Sequence, residues 1–200
     1  TEGWERGLTI VTAACDRIDL LGELHSDCDL QLLSSINWVG RSSMEVGLRI
    51  SSKVGKTWKR VARAYFIMVA RREGIAEPVN SVEPVGKEEQ RRFQQGEQRQ
   101  RQRRAIAQTS YLHNTPTADE SRVLHDLFLR IKNGEIEGAA MEDTIRQSTL
   151  LMHPQSRNVH NNIFGGYLMR EAFELAWNIT YLFCRKRPQF VSMDHMYFYK

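Results

Sequence analysis

The 200-residue chain contains no run of about 18 consecutive apolar residues, so nothing in it predicts a transmembrane helix. Cysteine is scarce too. Cys15, Cys28 and Cys184 stand far apart without a CxxC pair, and an odd, scattered set argues for a reducing compartment and against a disulfide scaffold. The six histidines are equally dispersed, so no metal site is expected. No GxSxG elbow occurs, which leaves serine nucleophile chemistry without support, and no internal repeat is evident. Charge of one sign is only mildly in excess. Lys and Arg number 28 against 24 Asp and Glu, for a net charge of +4 and a pI of about 9.1. That balance favours polyanionic partners without separating phosphorylated cofactors from nucleic acid.

What is present is the composition of a soluble globular chain long enough to bury a core: 41% hydrophobic residues, 26% charged and a mean hydropathy of −0.49. The first eighty residues read as β. Residues 8–18 are apolar and β-branched around Ile10, Val11 and Thr12. Ile36 to Val39 lead through Gly40 into 43–51, where Met44, Val46, Leu48 and Ile50 alternate with Glu45 and Arg49, the period of a half-buried strand. Gly55-Lys56 turns the chain into a long strand over 58–70. Pro78, Pro84 and Gly86 mark the exit from the sheet.

The middle of the chain is helical in pattern. Residues 87–108, dense in Glu, Gln and Arg, read as a solvated connector helix that includes the basic run 99–104. Neither interleaved aromatics nor an RNA-binding motif accompanies that run, so no nucleic-acid partner is expected. Thr117 and Glu120 have capping-box spacing ahead of an apolar face of Val123, Leu124, Leu127, Phe128 and Ile131, and Asn133-Gly134 is the stop. A short strand around 148–152 follows, then a polar loop over 153–162, a helix from Gly165-Gly166 to about Phe183, and a strand over 190–199.

The run HPQSRNVHNNIFGGYLMR at 153–170 resembles the signature of the second hotdog unit of double-hotdog acyl-CoA thioesterases of the mitochondrial type. Residues 171–177 and 190–200 continue the likeness. Residues 38–46 and 66–71 resemble strands of the first unit, and 93–97 the connecting region. The resemblance implies an α+β hotdog fold, in which a curved antiparallel sheet wraps a central helix. Two partial units are expected: 1–80 with late strands of the first, 81–140 as a helical linker, and 141–200 opening the second. With Thr1 at the start and 197–200 inside an expected strand, the chain reads as a fragment. The implied activity is hydrolysis of acyl-CoA to fatty acid and coenzyme A. Coenzyme A arrives as part of the substrate, and no separate cofactor is expected. Mitochondrial location and homo-oligomerisation through hotdog sheets also follow from the resemblance alone.

Thioester hydrolysis needs a placed water, a base to take its proton, and donors where the oxyanion develops. Gly165 and Gly166 at a helix start suit the last role, because backbone N–H groups there are free and the helix dipole favours negative charge. A glycine pair that merely permits close packing is the plain alternative. Asn162, three residues before Gly165, stands where related thioesterases carry a catalytic asparagine, with Asn161 and Asn158 as rivals; Asn161 is also a candidate substrate contact. Glu174 is the candidate base, although many hotdog thioesterases place the acid one residue earlier, at Phe173 here. A simple surface pair with Arg170 is its alternative. Asp194 and His195 point to opposite faces of their strand and form no dyad. Against the hydrolase stands a catalytically inactive hotdog remnant that binds acyl-CoA or serves as an interaction module.

Overall fold

A computed structural model of the chain describes residues 7–23, 27–109, 114–135, 138–158 and 161–198. Four long strands come first: β1 (Leu8–Leu20), β2 (Leu30–Val39), β3 (Ser43–Val54) and β4 (Thr57–Arg72), with the short β5 (Ile75–Ala76) turning back on β4. Gly55, at φ +60°, supplies the tight turn between β3 and β4, where Val54 faces Thr57. The sheet order is β2-β3-β4-β1-β6, and every pairing is antiparallel. The last strand, β6 (Ser192–Tyr197), comes from the far end of the chain and joins the free edge of β1, Ile18 facing Met193. The expected strand end at Tyr199, like Val159 and His160 of the 153–170 signature, lies outside the described residues.

Among the described residues three α-helices complete an α+β architecture. They are α1 (Lys87–Thr109), α2 (Ala118–Lys132) and α3 (Gly165–Cys184). The α2 cap forms as its spacing predicts. Glu120 N–H donates to Thr117 Oγ1 at 3.3 Å, and Thr117 N–H donates to Glu120 Oε2 at 2.8 Å. Its apolar stripe, Val123 to Ile131, is exposed. The strand expected at 148–152 does not form. Residues 145–153 have no regular structure and Leu151 is 79% exposed, because no neighbouring strand offers hydrogen-bond partners there. No described helix is long and apolar enough to cross a membrane.

Burial departs from the simple alternation on β3. The pattern alone would bury Met44, Val46, Leu48 and Ile50, yet these are half-buried and Glu45 is 0% exposed. The reason is α1, which docks on the opposite face. Arg92, Gly96, Arg99 and Arg103 recur at spacings of four, three and four and therefore share one side of that helix. Arg99 Nη2 lies 2.5 Å from Glu45 Oε1, and Arg103 Nη1 lies 3.7 Å from Glu45 Oε2 and 3.0 Å from Asp16 Oδ2. The expected solvated connector is thus anchored to the sheet by paired charges. Two β-bulges aim further polar side chains at the same place. Asp16 is the extra residue between Cys15 and Arg17, and Asn37 the extra residue between Ile36 and Trp38. Behind this layer the apolar core is made of small residues at the β1–β4 seam: Ala14, Cys15, Val61, Ala62, Ala64, Ile67 and Ala70.

Candidate active site at the start of the third helix

The loop before α3 is folded tightly on itself. Pro154–Ser156 form one 3-10 turn, and Arg157 and Ile163 make an isolated antiparallel bridge. Asn158 N–H donates to Asn162 O at 2.7 Å, Asn161 N–H to Asn158 O at 2.9 Å, and Phe164 N–H to Ser156 O at 3.1 Å. Asn161 adopts φ +62°, a left-handed conformation that asparagine tolerates better than most residues.

The three candidate asparagines divide by what their side chains do. Asn158 Oδ1 accepts from Asn162 N–H at 3.1 Å, and Asn161 Oδ1 accepts from Arg157 Nη1 at 2.8 Å, so both amides hold the loop. The exposed Asn162 side chain makes no hydrogen bond among the described residues.

Gly165 and Gly166 open α3 as expected. Phe164 provides no side-chain cap, the first turn carries no acidic residue, and neither glycine N–H donates to an acceptor among the described residues. A Cβ on Gly165 would stand 3.3 Å from the Phe198 ring and 3.4 Å from Thr12 Cβ, so the helix start rests on the end of β6 and on β1. A Cβ on Gly166 would run into the Phe164 ring. The glycine pair therefore serves packing and leaves two backbone donors free at the positive end of the helix dipole.

Glu174 lies farther along. Arg170 Nε donates to Glu174 Oε1 at 2.7 Å on the exposed side of α3, and the hydrogen bond and charge of Glu174 raise the Arg170 pKa. At nine residues from Gly165, Glu174 is about 13.5 Å along the helix axis, at about 1.5 Å per residue. The structure therefore does not bring it to the same helix start as Asn162. Phe173 packs edge-to-face on Phe190, with ring centroids 5.2 Å apart. Beside it, Ala176, Trp177, Met193 and Met196 line an apolar groove of about 390 Å3 between α3 and β6.

Sequence reasoning missed the second polar cluster, under α1. His195 Nδ1 stands 3.2 Å from Asp16 Oδ1, while Asp194 points the other way, 3.7 Å from Arg17 Nε. Asn37 Nδ2 donates to Glu45 Oε1 at 3.3 Å. Asp19 is buried, which opposes its ionisation, yet hydrogen bonds from Arg17 at 2.7 Å and Arg63 at 2.6 Å hold its pKa below the usual carboxylate range. Burial disfavours the charge on Arg99 as well, and Glu45 outweighs it and raises the pKa. The one signal in the sequence was the four-three-four spacing of Arg92, Gly96, Arg99 and Arg103. Among the described residues no group of three His, Cys, Asp or Glu could hold a metal ion.

By sequence the chain is similar to acyl-coenzyme A thioesterases. It is 36% identical to human mitochondrial acyl-coenzyme A thioesterase 9 over 206 residues, which take in 96% of this chain and 47% of that protein. Mouse mitochondrial acyl-coenzyme A thioesterase 10 is 36% identical over 207 residues, with the same shares. A chloroplastic acyl-coenzyme A thioesterase 2 from Humulus lupulus is 32% identical over 209 residues. The chain spans about half the length of the curated relatives it matches. Among solved structures, an apo hexameric acyl-CoA thioesterase matches 50% of this chain and 67% of its own, with 30% identity and a TM-score of 0.47. An acyl-CoA hydrolase from Bacillus cereus matches 54% and 69%, with 27% identity and a TM-score of 0.47. No protein-family profile matches the chain.

Proposed function

We propose that the protein hydrolyses acyl-CoA thioesters to a free acid and coenzyme A by attack of water, in the mitochondrion. The sequence relationship over 96% of the chain supports this reading. The observation that carries it is the start of α3, where the Gly165 and Gly166 N–H groups and, three residues before them, the Asn162 side chain make no hydrogen bond among the described residues. The thioester carbonyl oxygen accepts hydrogen bonds from the Gly165 and Gly166 N–H groups, which stabilise the oxyanion as it forms. Asn162 orients the attacking water, its Oδ1 accepting a hydrogen bond from that water. The apolar groove along α3 takes the acyl chain.

Glu174 is too far along its own helix to serve that carbonyl. In the proposal it is the base for the helix start of a facing unit, so the working enzyme is an assembly of hotdog units. Residues 1–80 and 141–200 then belong to two such units and 81–140 connect them. Breaking the exposed Arg170–Glu174 pair frees the carboxylate to take the water's proton. Coenzyme A leaves as the thiolate, the better leaving group of the tetrahedral intermediate, so no nucleophilic side chain is needed. The test is release of free coenzyme A thiol by the purified protein from saturated acyl-CoA substrates of short to long chain. Turnover well above the spontaneous rate on at least one substrate supports the proposal. Well-folded protein that binds acyl-CoA and releases no thiol sinks the hydrolase reading in favour of a binding module.

A further inference from the structure

Arginine is gathered in one place on this chain with little to balance it. The cleft between α1 and the β2–β4 half of the sheet, about 160 Å3 in volume, is lined by Arg49, Arg60, Arg63, Arg91, Arg92 and Arg99. Three elements supply them: β3, β4 and α1. Glu88 is the one carboxylate among the lining residues. Arg63 is held by Asp19 and Arg99 by Glu45, and Arg92 Nη1 donates to Ser35 Oγ at 3.2 Å. The Arg49, Arg60 and Arg91 side chains have no hydrogen bond or ion pair among the described residues. Some exposed arginines elsewhere are paired locally, as Arg101 with Glu97, Arg122 with Asp119 and Arg170 with Glu174. Others, such as Arg104 and Arg130, stand singly among the described residues; the cleft differs in bringing several arginines from three elements to one concave place.

We propose that this cleft is a binding site for a ligand carrying two or more phosphate charges. Its floor is preformed. Asn37 lies over Gly47, where a Cβ would collide with the amide, and Arg99 stacks over the Tyr65 ring with Cζ 4.0 Å from the centroid. Ser35 Oγ donates to Asn37 Oδ1 at 3.2 Å, and Asn37 Nδ2 to Glu45, so a hydrogen-bond chain runs from Arg92 down to the buried carboxylate. The fork of each guanidinium matches two phosphate oxygens at once, and the free arginines meet such a ligand without first giving up a carboxylate. The volume equals about five waters at about 30 Å3 each, room for a phosphate group in place of ordered solvent. This cleft sits on β2–β4, whereas Gly165 rests on β1 and Phe198. The phosphates come either from coenzyme A of the substrate or from a separate phosphate ligand, and the chemistry of the cleft is the same for both.

Calorimetric titration with inorganic pyrophosphate tests the site without any turnover. Wild-type protein is expected to bind it, more weakly as salt is raised. Arg49→Gln with Arg91→Gln should weaken binding about tenfold or more, since each charge-assisted hydrogen bond lost is worth about a tenfold change in affinity. Arg101→Gln with Arg104→Gln, on exposed parts of α1, should stay within about twofold. Coenzyme A displacing pyrophosphate, with KM for acyl-CoA raised in Arg49→Gln/Arg91→Gln and kcat kept, identifies the substrate as the source. Pyrophosphate binding lost with KM unchanged identifies a separate ligand. The proposal is overturned if millimolar pyrophosphate does not bind the wild type, or if both pairs of substitutions weaken it equally. Because pyrophosphate binding is read without hydrolysis, an inactive protein that binds it would refute the hydrolase proposal and leave this one standing.

Discussion

Replacing Gly96 by alanine separates two opposed expectations. In the interior of a helix, Gly→Ala stabilises by about 1 kcal/mol, because alanine has the higher helix propensity. On the docked α1 the new Cβ would stand 2.6 Å from Trp38 Cβ and 3.2 Å from Glu45 Oε1. The near atom is not the tip of a flexible side chain, so a rotamer change cannot relieve the overlap, and shortening Trp38 to alanine keeps the offending atom. The helix must move off the sheet instead. Overpacking of this kind costs about 1–3 kcal/mol, and displacement also loosens the Arg99–Glu45 pair. A cost near the top of that range, less the propensity gain, leaves a net loss of about 2 kcal/mol. Urea unfolding followed by circular dichroism reads this directly. With a slope of about 2–3 kcal/mol per molar, the midpoint should fall by about 0.7–1 M. A midpoint that rises would mean that propensity decides, that α1 does not dock through Gly96, and that the burial of Glu45 needs another explanation.

The same helix makes Glu45→Ala a severe substitution, since it leaves two guanidiniums beside Asp16 without their shared carboxylate. A loss of about 3–5 kcal/mol is expected in the same urea assay, whereas Glu174→Ala, on an exposed pair, should leave the midpoint in place. Asp19 has a lowered folded pKa, so its stabilisation is present above the unfolded value of about 3.9 and is lost as pH falls through the folded value. Asp19→Asn should therefore be less stable than wild type at pH 7, with the gap closing as pH falls below about 4 through the lowered folded value. A gap that is constant with pH would contradict the ion-pair assignment. Burial pushes the Cys15 thiol up to about 11, so at pH 8 only about one part in a thousand is thiolate. Disulfide reagents should label the exposed Cys184 rapidly and reach Cys15 only after urea is added. Equal rates for both in the folded protein would place Cys15 outside the core.

The elements legible from sequence are those whose signal is local. Alternation on β3, the Gly55 turn, the Thr117–Glu120 box and the apolar run of α3 all needed only near neighbours. Strands whose existence depends on a partner were read less well. The exposed first half of β2 is a strand because β3 lies beside it, with Leu30 facing Ser52, while Leu150 and Leu151 have no such neighbour among the described residues and stay irregular. The site divides in the same way. Gly165, Gly166 and the asparagine loop were visible as a motif. The cluster of Asp16, Asn37, Glu45, Arg99 and Arg103 was not, because two of its members depend on bulges and two on the docking of a distant helix. Glu45 in particular reads as a solvent-side residue until its two arginines are brought to it.

Thioester hydrolysis at the α3 start is tested most directly by kcat for release of coenzyme A in Asn162→Ala compared with Asn161→Ala. The free amide of Asn162 and the loop-holding amide of Asn161 predict different outcomes. Asn162→Ala should lose about 100-fold or more in kcat with folding and KM kept, the range for removing one group that positions or stabilises the reacting atoms. Asn161→Ala should act mainly through loop order and KM. Full kcat in Asn162→Ala would contradict the account and move the chemistry away from the start of α3.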